Sequence, residues 1–278
     1  MDDLADKTFL VTGANTGIGK ETVRGLARRG ARVVCAGRSE QKTREAMAEV
    51  AADSDNGDLD FLHLDLADLA SVREAAVTFL GRGERLDVLI NNAGLGGGRG
   101  MTASGFELAF GTNHIGTFVL TDLLTARLHE SAPARVVNLA SAVHKNARVI
   151  DWEAVREPTR SRTGLAEYAV SKLANVLHAR ELGRRLEGSG VSTYSVHPGA
   201  IASDVWRRVP APVRIPMKWF MKSTREGALT SLHCATSADV ADQTGLYYDR
   251  CVVAEPGALV TDDLAAELWT RTRAWLRE

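Results

Sequence analysis

The stretch Thr8-Phe9-Leu10-Val11-Thr12-Gly13-Ala14-Asn15-Thr16-Gly17-Ile18-Gly19 decides the fold. Thr8–Thr12 is a short apolar run with β-branched residues and reads as a buried strand. Gly13, Gly17 and Gly19 follow at once, and from Gly17 a helical pattern sets Ile18, Val23, Leu26 and Ala27 on one face. Glycine lets the chain turn tightly and approach a ligand closely, and a helix start offers N–H groups to an anion. Strand, glycine turn and helix in that order are the setting in which a dinucleotide pyrophosphate is held, with Asn15 and Thr16 in the loop beside it. The spacing departs from G-x-G-x-x-G, so a plain turn is the alternative; the flanking strand and helix favour the nucleotide.

Outward from this loop, short apolar runs recur at Arg32–Ala36, Asp60–His63, Val88–Asn91, Arg135–Leu139, Ser192–Val196 and Gly245–Tyr248, with longer amphipathic segments between them. The alternation predicts a doubly wound (Rossmann) α/β fold, a mostly parallel sheet of seven strands with helices on both faces. No Pro/Gly/Ser-rich linker interrupts residues 1–278, which predicts one domain. Leu264, Leu268 and Trp275 lie at helical spacing after Thr261 and predict a final helix docked on the body. The glycine-rich Gly94–Gly100 reads as a loop after the fourth strand.

Composition excludes more than it assigns. A formal net charge of −1 over 278 residues gives no electrostatic reason to expect nucleic acid or an anionic membrane as partner. Met1–Asp6 is acidic and lacks a signal-peptide pattern, and no segment is apolar for long enough to span a bilayer. The three cysteines, Cys35, Cys234 and Cys251, are far apart and lack metal-site spacing. Cys35, inside an apolar run, reads as a buried inert thiol. Reduced thiols and a cytoplasmic protein without a metal are expected.

The end of the second strand bears on the cofactor. An acidic residue about 20 positions past the glycine loop suits the free 2′-hydroxyl of NAD, whereas an arginine suits the 2′-phosphate of NADP. Arg38 stands there, with Ser39 and Lys42 beside it, and points to NADP(H) over NAD(H); a solvated surface arginine is the alternative. Asp65, with Leu66 next to it after the third strand, is a candidate for the adenine ring, or a cap for the helix after Asp68.

Tyr168 and Lys172 sit four residues apart in Tyr-Ala-Val-Ser-Lys. That is just over one helical turn, so phenol and ammonium share a face. A cation there is expected to favour the phenolate and lower the tyrosine pKa from about 10, giving a usable proton donor and acceptor near neutral pH. Taken alone, such a pair is common on solvated helix faces. Downstream of a dinucleotide loop it reads as the proton-handling part of an oxidoreductase.

These residues together resemble the short-chain dehydrogenases/reductases over nearly the whole chain: the Thr-Gly-x-x-x-Gly-Ile-Gly loop, Asn91-Asn92-Ala93-Gly94, Ser141, Tyr168-x-x-x-Lys172 and Pro198-Gly199 fall in family order. Ser171–Leu177, His197-Pro198-Gly199 and Arg225-Glu226-Gly227-Ala228 look most like the retinol-dehydrogenase group. The resemblance implies four catalytic positions, Asn113, Ser141, Tyr168 and Lys172. Tyr168 would exchange a proton with the substrate oxygen, Ser141 would hydrogen-bond that oxygen, and Lys172 would lower the tyrosine pKa and hold the nicotinamide ribose. Asn113 would anchor a water leading from Lys172 to solvent. Asn92, Ala93 and Gly94 would lie beside the cofactor, and Pro198, Gly199, Ile201 and Ser203 would face the nicotinamide; many relatives carry threonine where Ser203 stands. A bland reading exists for each: Ser141 as a strand end, Asn113 as a helix cap. His144 and His197 have no ligand partner at metal spacing and receive no catalytic role.

Two segments are expected to shape the substrate end, Lys145–Ala166 and the stretch 203–222 as a lid. The second contains Trp206, Trp219, Phe220 and Met221, which suit either a cover over an apolar substrate or core and oligomer contacts. The resulting expectation is hydride transfer between NADP(H) and a carbonyl or alcohol of an apolar small molecule, in a chain without a membrane anchor and with homo-oligomerisation open. A nucleotide-binding regulator without chemistry, and an epimerase or dehydratase of the same fold, are the competing classes.

Overall fold

The computed structural model describes residues 4–199 and 223–277. Among them, eight strands form one sheet in the order β3-β2-β1-β4-β5-β6-β7-β8. They are β1 Thr8–Thr12, β2 Arg32–Gly37, β3 Leu59–His63, β4 Val88–Asn91, β5 Ala134–Leu139, β6 Val191–His197, β7 Leu246–Asp249 and β8 Val252–Val253. All neighbours pair in parallel except β7 with β8, which are antiparallel. The eighth strand is a departure from the seven expected. It is two residues long, both exposed, and so lacks the apolar alternation by which a strand is read.

Each central strand is buried on both sides, which is why these runs are almost wholly apolar. Successive side chains point to opposite faces. Phe9 and Val11 of β1 therefore pack with α1 (Gly17–Ala27), α2 (Glu40–Ser54) and α6 (Thr224–Thr236). Leu10 packs on the other face with α3 (Leu69–Gly81), α4 (Gly116–Glu130) and α5 (Leu165–Arg185). Chain order reverses between β1 and β4, so the strand ends there open a crevice, the place where ligands bind in such sheets.

The last helix, α7 (Asp262–Trp275), is capped by Thr261 and docks as expected. Leu268 and Ala265 join Leu173 and Leu177 of α5. Trp269 packs edge-on against Phe118 of α4 at 4.8 Å and under the Arg185 guanidinium at 4.6 Å. No helix among the described residues is long and apolar enough to cross a membrane.

Candidate active site

A cavity of about 980 Å³ opens at the carboxyl ends of the strands. Gly13, Asn15, Thr16, Gly17, Ile18 and Gly19 form one wall. Gly13 and Gly17 have φ of 67° and 57°, a region that side chains strain to enter. At Gly19 the issue is space: a Cβ would lie 2.2 Å from the Gly13 carbonyl oxygen and 2.5 Å from Asn92 Nδ2. The loop is tied to β4 by Asn92, whose Nδ2 donates to Thr12 O at 2.8 Å and Gly13 O at 3.3 Å. The Ala93 N–H donates to Thr12 Oγ1 at 2.9 Å. The start of α1, Gly17 to Gly19, itself lines the cavity, which brings its backbone donors to that wall. A cradle of backbone that a methyl group would fill, ending in N–H donors, fits a dinucleotide pyrophosphate.

The second wall comes from the ends of β2 and β3. Arg38, Ser39, Lys42, Asp65 and Leu66 all line it. Ser39 caps α2 by accepting the Lys42 N–H. Arg38 is 57% exposed and its Nη1 lies 3.9 Å from Asp65 Oδ2, a loose pair in water. Asp65 lines the cavity and does not cap the helix that follows; its Oδ1 accepts the Ala67 N–H at 3.0 Å. Capping of α3 falls to Asp68.

At the far end lie Ser141, Tyr168 and Lys172. Tyr168 and Lys172 project from α5, with Lys172 Nζ 5.8 Å from the tyrosine ring centre. Ser141 Oγ is hydrogen-bonded to the Tyr168 phenol and accepts the Val143 N–H at 3.3 Å. Lys172 Nζ donates to Leu139 O at 2.7 Å. The charge balance differs from the sequence expectation. Burial pushes the Tyr168 phenol up to about 12, against the smaller opposing effect of its bond to Ser141. Burial also draws the Lys172 amine down to about 7, which weakens the charge meant to lower the tyrosine. Helical spacing gave the proximity; desolvation of both groups decides the sign.

Asn113 does not line the cavity but stands behind it, fully buried in a π-helical turn, Gly111–Ile115, that leads into α4. Its Oδ1 accepts the Leu95 N–H and its Nδ2 donates to Leu95 O and Ser171 Oγ, each at 2.9 Å. Ser171 Oγ in turn donates to Tyr168 O at 2.8 Å. Asn113 thus joins the loop after β4 to the helix of Tyr168 and Lys172. Between the two stands Gly94, where a Cβ would lie 3.2 Å from Asn113 Oδ1 and 3.4 Å from Lys172 Nζ.

Pro198 and Gly199 line the cavity at the end of β6. Ile201 and Ser203, and the proposed cover with Trp206, Trp219, Phe220 and Met221, lie outside the described residues. The segment Lys145–Ala166 corrects an expectation: among the described residues it contributes nothing to the cavity lining. It is drawn away instead, with Ile150 and Val155 packed beside Phe106 and Phe110, and Thr159 bound to the buried Glu107 carboxylate and to the Gly100 N–H at 3.1 Å. Leu95, Leu108 and Val143 supply apolar lining instead, and no local sequence signal marked them. Cys35 is buried and its thiol pushed up to about 12, an unreactive state.

The short chain dehydrogenase family model matches residues 7–213. The chain is 45% identical over 280 residues to dehydrogenase/reductase SDR family member 13 of Bos taurus, covering 98% of this chain and 74% of that one. It is 46% identical over 251 residues to retinol dehydrogenase 12 of Mus musculus, covering 88% of this chain and 78% of that one. Among solved structures, an uncharacterised protein from Mycobacterium Paratuberculosis matches with a TM-score of 0.80 at 31% identity, covering 100% of this chain and 96% of that one. The Pseudomonas aeruginosa RhlG/NADP active-site complex matches with a TM-score of 0.71 at 26% identity, covering 93% and 98%. With its doubly wound sheet, glycine loop and Ser141–Tyr168–Lys172 cluster, the chain belongs to the short-chain dehydrogenase/reductase family, in its retinol-dehydrogenase-like group.

Proposed function

We propose that this oxidoreductase interconverts an apolar carbonyl compound and its alcohol with NADP(H). One observation carries the reading: a buried phenol, hydrogen-bonded to Ser141 and one turn from Lys172, shares a single cavity with the glycine loop. The dinucleotide, when bound, supplies or accepts the hydride. Tyr168 gives its proton to the carbonyl oxygen in reduction and takes it back in oxidation. Ser141 hydrogen-bonds the same oxygen, where negative charge develops. Because burial favours the neutral phenol, Tyr168 is ready as a proton donor, and oxidation needs added positive charge near it to release that proton.

The choice of NADP(H) is supported by Arg38, Ser39 and Lys42 around the start of α2, a cluster of donors suited to a 2′-phosphate. The Asp65 carboxylate is engaged by Ala67 and only loosely by Arg38, so the guanidinium can turn to a phosphate. An apolar substrate is supported by Leu95, Leu108 and Val143 in the cavity lining. The retinol dehydrogenases among the relatives act, by name, on retinol.

Fluorescence titration of the purified chain with NADPH and NADH tests the reading, with Arg38→Ala beside the wild type. A hydrogen bond to a charged group contributes about 1.5–3 kcal/mol, and at a half-exposed arginine the lower end applies. The variant should lose about tenfold in NADPH affinity and nothing in NADH affinity. Equal NADPH affinity in both proteins would remove Arg38 from the site.

A further inference from the structure

Two imidazoles hold the turn that carries Ser141. His144 is buried in the 3-10 turn Ala142–Asn146. Its Nε2 accepts the Gly257 N–H at 2.9 Å, so that nitrogen bears no proton. In the neutral ring the proton then sits on Nδ1, which donates to the Ser141 carbonyl at 2.6 Å. The ring packs edge-on against Tyr247 at 5.0 Å, and Gly257 comes so near that a Cβ there would lie 3.3 Å from His144 Cδ2. From the other flank, His197 Nδ1 accepts the Ala142 N–H at 3.1 Å, which leaves its neutral proton on Nε2.

We propose that His144 and His197 are positioning residues for Ser141: His144, inside the turn, accepts from Gly257 on one flank, and His197, on the other flank, accepts from Ala142 of the turn, so that the serine hydroxyl meets the Tyr168 phenol. The hydroxyl orientation follows from the turn, because Ser141 Oγ also accepts the Val143 N–H within it. Protonating either ring replaces an acceptor by a donor, setting N–H against N–H at Gly257 or at Ala142. Each protonation therefore removes one tie that the neutral ring gives the turn. The surroundings favour the neutral state. Burial lowers both rings below the usual imidazole range, against the Ser141 carbonyl, which favours the charged ring at His144, and the Lys145 ammonium disfavours a charge on each. At His197, Arg250 and His144 act in the same sense as Lys145, whereas Asp249, its cross-strand partner, acts in the opposite one. Lys145 is kept there by its bond to Glu255 O at 2.8 Å, and the Tyr247 phenol on the far side is itself pushed up to about 12. The kinetic consequence rests on the oxidoreductase reading; the hydrogen bonds do not.

The full chain labelled with 15N-histidine, followed by NMR from neutral to acid pH without substrate, reads the two tautomers directly. The expected result is Nδ1–H at His144 and Nε2–H at His197, both rings staying neutral below the ordinary imidazole midpoint of about 6.5. Either ring in the opposite tautomer, or titrating at that midpoint, overturns the proposal. Kinetics with NADPH and nonanal as the probe pair add a second arm. His144→Phe keeps a ring against Tyr247 but neither bond, and should lose about tenfold in kcat with NADPH affinity unchanged. His144→Gln keeps an acceptor for Gly257 that does not titrate; it should recover most of that loss and move the acid limb of kcat to lower pH. A wild-type kcat and acid limb in His144→Phe would refute the positioning role. Lack of nonanal turnover in every form, with the tautomers as expected, would count against the apolar-carbonyl reading and uphold the bonds.

Discussion

Replacing Lys172 with methionine should stabilise the cofactor-free protein near neutral pH and abolish a pH dependence that the wild type carries. Lys172 is 2% exposed, its amine donates to the neutral Leu139 carbonyl, and none of the described ion pairs includes it. Burial draws its pKa from 10.5 to about 7. In the unfolded chain the amine holds its proton up to about 10.4. Between those values the unfolded state binds one proton more than the folded state, so stability rises with pH by about 1.4 kcal/mol per unit. The whole window is worth about 5 kcal/mol at most, and partial hydration of the site brings the expected rise to about 3 kcal/mol. Below pH 7 both states are charged and the folded protein carries the full cost of a buried ammonium; the methionine variant carries none. Tyr168 works in the opposite sense. Its folded value of about 12 lies above the unfolded one, so its contribution is lost only above about pH 10. Urea unfolding of both proteins at about pH 6.5, 8 and 9.5 isolates the lysine, because other titrating groups cancel in the difference. The variant should be the more stable by about 3 kcal/mol at the lowest pH, with the gap closing at the highest. A gap that stays constant across the range would refute the argument, since the Lys172 amine would then titrate alike in both states.

Tyr168→Phe should lower turnover by about 10² to 10⁴ while NADPH affinity is kept, because the phenyl ring fills the same space but has no proton to exchange; unchanged kcat would sink the proposed chemistry. Gly19→Ala drives a methyl group into the Gly13 carbonyl and Asn92 Nδ2, and breaking the two Asn92 bonds should cost about 1–3 kcal/mol in urea unfolding and weaken NADPH at least about tenfold. Wild-type affinity in that variant would mean that the loop relaxes without consequence. Trp269→Ala removes the ring that spans Phe118 and Arg185 and should cost about 2–4 kcal/mol; a loss well under 1 kcal/mol would mean that α7 is held by its other contacts.

What the sequence disclosed followed from local rules. β1 and β4 begin and end where their apolar runs do, because strands buried on both faces tolerate little else. The glycine loop was legible because backbone at φ of 67° and 57° and a 2.2 Å approach leave glycine as the residue that fits. Tyr168 and Lys172 were legible as a pair because helical spacing fixes who shares a face. Spacing says nothing of how deeply that face is buried, and so the sign of the Tyr168 shift was not available from it. The same limit applies to Lys145–Ala166, whose place in the chain between Ser141 and Tyr168 suggested the cavity, while Ile150 and Val155 take it to the apolar cluster beside Phe106. The histidines are the plainest case. His144 meets Gly257 across 113 residues, and His197 meets Ala142 across 55. Each backbone N–H pairs with an acceptor that the fold brings near it, and local sequence does not say which distant side chain will supply it. Two imidazoles with no metal spacing therefore looked idle until the sheet brought β6 and the loop before α7 to either side of Ser141. There, His197 accepts a donor of the turn, and the turn's own His144 accepts one from the loop before α7.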